Sequence, residues 1–561
     1  MVALLTLCGC SEDPTIEPAD IALISGGIYT VDAERSWVEA VAIRNGVILA
    51  VGSGDSIASF IDSTTEVIDL TGGMALPGFH DTHTHPLEGG YLMRQCDLSE
   101  DGTSVDAIIS HLRQCESEID GEWIIGFGLD LSLFDANGPD MVLLEDIATD
   151  RLFFVIAADG HSVLVNSPVL KLAGISKETP DPTGGVIERR ADSGEPNGTL
   201  RGAAYDLVDI YRPQRQLDES IDAMRDALDA QRAVGVTSLG DRWVGELEHQ
   251  VYKSIGRAGD LNMRIVASLI DAGIFGKHSG EEFERVLAAR TEYASGLINS
   301  DSIKIMVDGV LEGETAALVD PYTGLDHSGI LNHTSEELQN RVQRYDAMGL
   351  QIHMHTMGDG AARAALDAIE FTRQANEGIE RSHTPRHTLS HLALIHEDDI
   401  GRFSKLGVAT SFTGKWAHPD AYVMELNLPV LGQGRVDRMY PLRSLQKAGA
   451  LVVGGSDWVY GPIDPLVSIE TVITRQNPYD ATSLVGNLDE GIDLASAIDA
   501  YTIDAAWSMH QEDKVGSIEV GKRADIVVLD TNLFEIPATQ INEATVRYTI
   551  FDGEIVYRQL D

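Results

Sequence analysis

Residues 74–85 read MALPGFHDTHTH, and the fold assignment depends on this segment. An apolar run leads into Pro77 and Gly78 and then into two histidines, His83 and His85, which are two positions apart. Side chains two apart in a strand point to the same face, so both imidazoles can reach one cation. A single pair of this kind also occurs as ordinary polar residues at a strand end. The segment therefore predicts a strand that ends in a candidate metal pair.

Seven further short apolar segments follow, separated by stretches with helical periodicity. One such stretch, residues 218–235, reads DESIDAMRDALDAQRAVG. Strands that alternate with amphipathic helices are typical of the α/β class with parallel strands. Eight of them predict a (β/α)8 TIM barrel, whose active site lies at the carboxyl ends of the strands. The seven further candidates are residues 235–241, 263–269, 302–309, 350–357, 386–393, 407–414 and 451–458.

The two ends of the chain differ from its middle. Both contain short β-rich runs with hairpin turn signals, Asn45-Gly46 and Asp552-Gly553, which predict one small β-sandwich built from both termini. The connection after the first barrel strand is too long for one crossover helix, so it predicts an inserted subdomain over the barrel mouth. The predicted bounds are 1–19 for a leader and tether, 20–73 and 515–561 for the sandwich, 74–514 for the barrel and about 87–209 for the insert.

The composition narrows the class of partner. Hydrophobic residues make up 43% and charged residues 23%, which is an ordinary globular balance and excludes a disordered or fibrous chain. Lys and Arg number 41 against 88 Asp and Glu, a formal net charge of −47. Such a surface repels phosphate backbones, so we expect a small-molecule substrate and no nucleic acid.

The N-terminus carries a possible export signal. It reads MVALLTLCGC, and residues 7–10 are similar to the cleavage box of bacterial lipoproteins, in which the last cysteine, here Cys10, is lipidated. We therefore expect a periplasmic or cell-envelope location, with membrane contact only through this lipid. The run is short and lacks a basic segment. A misplaced start or a chance match is the alternative, and the location would then be cytoplasmic.

The other two cysteines are Cys96 and Cys115. Four cysteines in a chain of 561 residues exclude a disulfide scaffold. The pair is able to form a disulfide in an oxidising compartment, but the expectation is two buried free thiols.

Further candidate metal ligands lie at the ends of later predicted strands. His355 ends the fifth candidate, His391 the sixth and Asp457 the eighth. Each of them alone is more often structural, but in a barrel they converge with His83 and His85 on one point. Imidazole and carboxylate ligands suit zinc and its first-row neighbours. The pattern therefore predicts a divalent metal site.

Lys304 lies in the fourth strand candidate, which has no histidine. A cationic lysine cannot bind a metal, but carboxylation by carbon dioxide converts its amine to a carbamate whose two oxygens can bridge two cations. The alternative is that Lys304 pairs with Asp308 or Glu312. Spacing alone does not separate these interpretations.

The candidate ligands lie in distinctive motifs, and a further motif precedes the C-terminal strands. In combination they resemble the amidohydrolase superfamily, and within it the amidohydrolase family 3 branch of metal-dependent hydrolases, such as N-substituted formamide deformylases. The resemblance covers nearly the whole chain after the leader. The motifs are PGFHDTHTH (77–85), HTMGDGA (355–361), SHLALI (390–395), GGSDW (454–458) and GSIEVGKRADIVVLD (516–530).

The resemblance implies a two-metal site and a mechanism. His83, His85 and Asp457 would hold one ion, and His355 and His391 the other. A carboxylated Lys304 would bridge the two ions. The ligand types suit two Zn2+ ions or other first-row metals. A metal-activated hydroxide would then attack a carbonyl, with Asp457 as the catalytic proton shuttle. His353 does not match the family's ligand position, so it is expected to support the site from behind or to be structural.

Other residues are candidates for the substrate pocket. Asp159 and His161 follow an apolar strand of the insert and either line the pocket or form a capped turn. Asp130 resembles a family position, although Leu129 replaces the usual tryptophan. Trp416 is expected to form an apolar wall, or else to pack in the barrel. Gly360 and the segment SFTGKW also depart from the family pattern, which leaves the substrate open.

The leading functional hypothesis is hydrolysis of non-peptide carbon–nitrogen bonds, such as those of amides or N-substituted formamides. One alternative is the same metal site acting on a lactone, a carbamate or an amidine. An N-acyl amino acid acylase is another, which needs a cation such as Lys415 or Arg189 to hold a carboxylate. A metal-free binding scaffold is the remote one, because it predicts the loss of ligands. By analogy with the superfamily, a homodimer is also expected.

Overall fold

The centre of the protein is a sheet of eight parallel strands. The computed structural model describes residues 17–98, 104–119, 121–135, 137–148, 150–182, 184–213, 215–271, 280–380 and 384–560. The strands are β1 Phe79–Thr84, β2 Val236–Val244, β3 Arg264–Ile270, β4 Ile298–Met306, β5 Gln351–Thr356, β6 Thr388–His391, β7 Ala409–Thr413 and β8 Val452–Gly455. Each is paired with the next along the chain, so the predicted barrel is confirmed.

The barrel closes between its first and last strands. Thr82 on β1 donates its hydroxyl hydrogen to the carbonyl of Gly454 on β8 at 2.8 Å. All eight strands are almost entirely buried, because side chains fill the inside and helices cover the outside. Their carboxyl ends therefore meet at one rim, where the site lies.

Helices connect the strands and begin and end where local chemistry predicts. Helix Ser335–Ala347 starts with a capping box in which Thr334 and Glu337 bond each other's backbone amides. Glu397–Leu406 ends at Gly407, which has a φ of 63°. The helices around the barrel are Leu217–Ala233, Glu246–Ala258, Gly280–Tyr293, Ser335–Ala347, Asp359–Ala375, Glu397–Leu406, Leu428–Leu431, Gln433–Val436, Leu442–Lys447, Pro465–Thr474, Leu494–Ala500 and Ile503–Ser508.

Two sheets lie outside the barrel, a six-stranded one with strands from both ends of the chain and a four-stranded one with strands from the N-terminal segment. Their hairpins turn at Asn45-Gly46 and Asp552-Gly553, and all four residues have positive φ, as a type I′ turn requires. In spatial order the six-stranded sheet is Glu554–Arg558, Val546–Phe551, Ile526–Leu529, Met74–Pro77, Gly27–Tyr29 and Trp37–Val38, and the four-stranded sheet is Val47–Gly52, Ala40–Arg44, Ile21–Ile24 and Glu66–Asp69. A short helix, Gly54–Ile57, follows the edge strand.

The predicted single strand over residues 74–85 is wrong. Met74–Pro77 pairs with Ile526–Leu529 in the outer sheet, and only Phe79–Thr84 enters the barrel. Gly78 separates the two, where a Cβ would lie 2.4 Å from the Thr237 hydroxyl. The chain therefore passes from one sheet to the other through a close approach that excludes a side chain.

The insert after β1 has its own sheet and its own apolar core. In spatial order its strands are Gly185–Arg189, Pro196–Gly202, Ser162–Val165, Leu152–Ala157, Trp123–Leu129 and Cys96–Asp97. The helices of this segment are Pro86–Leu92, Val105–Glu118, Val142–Glu145, Ser167–Leu172 and Asp206–Asp209.

Cys96 and Cys115 form a disulfide, so the expectation of two free thiols is wrong. Strand Cys96–Asp97 lies beside helix Val105–Glu118, which brings the two Cα atoms to 5.7 Å, inside the range that a disulfide needs. Residues 1–16, with the expected lipid-carrying Cys10, lie outside the described residues. No helix in the described residues is long and apolar enough to cross a membrane.

Candidate active site

His83 and His85 lie at the carboxyl end of β1, where Asp81 joins that strand to β8. The Asp81 carboxylate accepts hydrogen bonds from the His83 amide at 3.1 Å and from the Ser456 amide at 2.9 Å. Burial raises the pKa of Asp81 to about 6. These bonds fix the position of His83 relative to the end of β8. Asp457 lies just beyond that end.

Asp457 reaches three of the four predicted histidine ligands. Its Oδ1 lies 3.0 Å from Nε2 of His85 and 3.4 Å from Nε2 of His83, and its Oδ2 lies 3.6 Å from Nδ1 of His391. Asp457 adopts a φ of 51°, a left-handed conformation that is uncommon outside glycine and turns its side chain into the barrel. The predicted carboxylate thus lies among the predicted imidazoles.

His355 and His391 complete the histidine cluster, with ring centroids 4.5 Å apart. Nε2 of His355 lies 3.1 Å from the Gly309 carbonyl. Nδ1 of His391 is buried and has no hydrogen-bond partner in the described chain. Burial, reinforced by neighbouring cations, lowers the pKa of His83, His355 and His391 well below the usual range. The three rings are therefore neutral at physiological pH, the form that binds metals.

Lys304 points into the same cluster, and its Nζ lies 3.2 Å from Nε2 of His83. Burial lowers the pKa of this ammonium to about 7. Within the described residues it forms no ion pair with Asp308 or Glu312, so that alternative is not realised. Asp308 instead accepts hydrogen bonds from three backbone amides beyond β4 and β5. They belong to Ala317 at 3.0 Å, Met357 at 3.0 Å and Gly358 at 2.9 Å.

All six predicted metal and catalytic residues line one cavity of about 400 Å³. They are His83, His85, Lys304, His355, His391 and Asp457. The insert contributes the facing wall through Ile156, Asp159, His161 and Tyr205. The insert therefore covers the barrel mouth.

Asp159 and His161 line this cavity, and Asp159 also forms the capped turn that was its structural alternative. Its carboxylate accepts from the His161 amide at 2.8 Å and from the Ser162 amide at 2.9 Å. That turn places the His161 ring 6.0 Å from the His355 ring. Asp130 differs, because it is absent from the described lining of the cavity. Its carboxylate caps a helical turn by accepting from the Ser132 amide at 2.8 Å.

Trp416 forms part of the apolar wall and supports a predicted ligand. Its ring is stacked on His391 at 5.6 Å with an interplanar angle of 22°. Its indole N–H donates to the Tyr460 carbonyl at 3.2 Å. His353 lies behind the site, with Nε2 3.2 Å from Nδ1 of His83.

Sequence reasoning missed a second set of cavity residues. Glu312 follows β4, and a π-helical turn, Tyr422–Asn427, follows β7. Asp420, Tyr422, Asn427 and Tyr440 line the cavity together with Glu312. No motif marks these residues, because turns and loops of different β/α units bring them together. A π-helical turn is frequent at functional sites, but a sequence does not reveal it.

Comparison with known proteins agrees with this architecture. Residues 66–557 match the Amidohydrolase family. The chain belongs to the amidohydrolase family. It is 29% identical to the putative amidohydrolase YtcJ of Bacillus subtilis over 95% of this chain and 98% of the relative. It is 26% identical to the N-substituted formamide deformylase of Arthrobacter pascens over 96% of this chain and 98% of the relative.

Solved structures show the same fold. A metal-dependent hydrolase of Pyrococcus horikoshii OT3 superposes with a TM-score of 0.73 at 22% identity, and 92% of this chain and 99% of that chain are covered. One from Pyrococcus furiosus gives a TM-score of 0.70 at 24% identity, with coverage of 91% and 99%.

Family membership implies that this amidohydrolase uses a divalent metal, and the residues present fit one. His83, His85 and Asp457 offer ligand atoms that all lie within 4.8 Å of one another. Nδ1 of His391 is buried without a hydrogen-bond partner in the described chain, so it is a further nitrogen available to a metal. Imidazole and carboxylate donors match zinc and the other first-row metals.

Proposed function

We propose that this amidohydrolase hydrolyses carbon–nitrogen bonds of small amides or N-substituted formamides. One observation carries the proposal: four histidines, an aspartate and a lysine from different strand ends line one covered cavity. The similarity to the deformylase of Arthrobacter pascens supports the choice of bond. A metal-free scaffold would have lost some of these residues.

The residues divide into two binding sets. We assign His83, His85 and Asp457 to one divalent ion and His355 and His391 to a second, with zinc as the preferred metal. Lys304 would join the sets as a carbamate, formed when its neutral amine adds to carbon dioxide and releases one proton. The pKa of about 7, lowered by burial, supports this assignment because it leaves much of the amine neutral near pH 7.

The chain's own side chains would bind the substrate and move the proton. Bound divalent ions would lower the pKa of water and polarise the substrate carbonyl. Asp457 would accept a proton from the attacking water and return it to the leaving nitrogen, which is strongly basic once the carbonyl carbon is tetrahedral. His161 would donate a hydrogen bond to the substrate from above His355, and Trp416 would provide apolar contact.

We also propose that the protein is exported as a lipoprotein anchored through Cys10. The disulfide between Cys96 and Cys115 supports this location, since disulfides persist in oxidising compartments. The partners proposed are a small-molecule substrate and a second copy of the chain, with nucleic acid disfavoured by the net charge of −47.

The deciding experiment combines metal analysis with a substrate panel. The protein is purified without chelator, its metal content is measured by elemental mass spectrometry, and it is assayed on matched amide, ester and amidine substrates. About two ions per chain with a preference for the amide would support the proposal. One ion per chain with turnover of the amidine alone would point to a deaminase instead. Absence of metal and of turnover, even after reconstitution, would overturn the proposal.

A further inference from the structure

Glu312 is the one carboxylate in the described cavity lining with no hydrogen bond and no ion pair to another residue of the described chain. Six other carboxylates line the same cavity, and each has a partner. The pairs are Glu88 with Arg215, Asp159 with Ser162, Asp241 with Tyr252, Glu248 with the Gly245 amide, Asp420 with the Val423 amide and Asp457 with His85. A carboxylate that no other residue of the described chain pairs with therefore faces the space that the substrate occupies.

Asn427 also lines this cavity, and its side-chain oxygen has no hydrogen-bond partner in the described chain. Its side chain is 5% exposed, and its Oδ1 is buried with no hydrogen-bond partner among the described residues. Asn427 lies in the same π-helical turn as Tyr422. Burial raises the pKa of Tyr422, and the charges of Asp159, Asp130 and Glu312 raise it further, so the charge of Glu312 acts on this turn. A buried amide without a partner costs free energy unless a ligand satisfies it.

The electrostatics of the wall favour a cation. Burial, together with the negative charges of Asp159 and Asp420, raises the pKa of Glu312 to about 7. A positive group placed beside Glu312 would relieve both effects.

The cations of the cavity lining have other contacts. Lys415 lies 3.4 Å from Nε2 of His418 and 3.4 Å from Oδ1 of Asn477. Arg212 pairs with Asp209, and Arg215 pairs with Glu88. Lys304 faces His83. No cation of the described cavity lining therefore pairs with Glu312. Arg201, outside that lining, pairs with Glu188 and offsets only part of the rise in the pKa of Glu312.

We infer that Glu312 and Asn427 form a subsite for a protonated amino group of the substrate, so that the preferred substrates are amides or formamides that carry an ammonium group away from the scissile bond. This inference rests on the proposed hydrolysis. Glu312 is then a specificity-determining residue, which touches the substrate but takes no part in bond cleavage.

The test uses two formamides of equal length, N-(3-aminopropyl)formamide and N-butylformamide, with the metal-loaded enzyme above pH 7. The wild type should favour the aminopropyl compound by about 10- to 100-fold in kcat/KM, the range for a hydrogen bond to a charged group. Glu312→Gln keeps the shape and removes the charge. It should abolish this preference by raising KM for the aminopropyl compound.

The matched control is Glu314→Gln, the same change two residues away, where the side chain pairs with His327 outside the described cavity lining. It should behave as the wild type. Equal kcat/KM for both formamides in the wild type and in Glu312→Gln would overturn the inference and leave the proposed function standing.

Binding of protonated butylamine is measured by calorimetry, with 1-butanol as the uncharged comparison. It separates failure of the proposed hydrolysis from failure of the ammonium subsite. If the wild type cleaves neither formamide, the proposed function fails. Butylamine binding that weakens about tenfold or more in Glu312→Gln would still support the subsite. Binding that is unchanged in Glu312→Gln would overturn it.

Discussion

The backbone amide of Asp457 donates a hydrogen bond to the carbonyl of His83 at 2.7 Å. This bond joins the ends of the first and last barrel strands, which are more than 370 positions apart in the chain. It holds the predicted proton shuttle and a predicted ligand in a fixed relation through the main chain. Preorganisation of this kind removes reorganisation cost when the transition state forms.

Asp457→Asn should retain most of the bound metal and lose catalysis, because the amide keeps an oxygen ligand but cannot accept the proton. We expect kcat to fall by about 100- to 10,000-fold, the usual contribution of a general acid–base group. Metal content by elemental mass spectrometry and steady-state kinetics check this. Asp130→Asn, the same change at a carboxylate outside the described cavity lining, is the control and should keep near-normal kcat. Turnover that survives Asp457→Asn would show that another group moves the proton.

Lys304→Ala should lower the metal content and abolish activity, because it removes the bridging carbamate. An added short-chain carboxylate should restore part of the activity by supplying two oxygens in its place. Lys405→Ala changes a lysine whose side chain is 72% exposed and serves as the control. Full metal content and full activity in Lys304→Ala would refute the carbamate.

Glu312→Gln should stabilise the protein above pH 7. Burial and neighbouring charges raise the pKa of Glu312 from 4.5 to about 7 in the folded state, so folding is penalised once the carboxyl ionises. The penalty is absent below about pH 4.5, grows between the two pKa values and reaches at most about 3 kcal/mol above pH 7. Urea unfolding of both proteins at several pH values measures the difference. A constant difference across this range, or the same change in Glu314→Gln, would contradict the pKa shift.

Breaking the disulfide should loosen the insert. Cys96 and Cys115 are separated by 19 positions, and closing a loop of this size is worth about 3 kcal/mol. A reductant should lower the unfolding midpoint of the wild type and leave that of the double variant Cys96→Ser/Cys115→Ser unchanged. If both proteins respond alike, the cysteines are not bonded in solution.

The eight strands and their order were predictable because each depends on a short apolar run followed by amphipathic periodicity. The turns at Asn45-Gly46 and Asp552-Gly553 were equally visible, since the required positive φ belongs to those residues. The predicted ligands His83, His355 and His391 were visible because the carboxyl ends of barrel strands always share one rim. Each of these inferences uses information within a few residues of sequence or a general rule of the fold.

What the sequence determined by itself is the barrel, its parallel strands and the chemical types of side chain at its rim. Tertiary structure alone decided that Cys96 meets Cys115, that Asp130 lies outside the described cavity lining, and that Glu312 and Asn427 line the same cavity. Those relations depend on how separate loops pack over the rim, and packing sums many weak contacts between segments far apart in the chain. The identity of each side chain is local, whereas the partner that it meets, or lacks, is set by the whole fold.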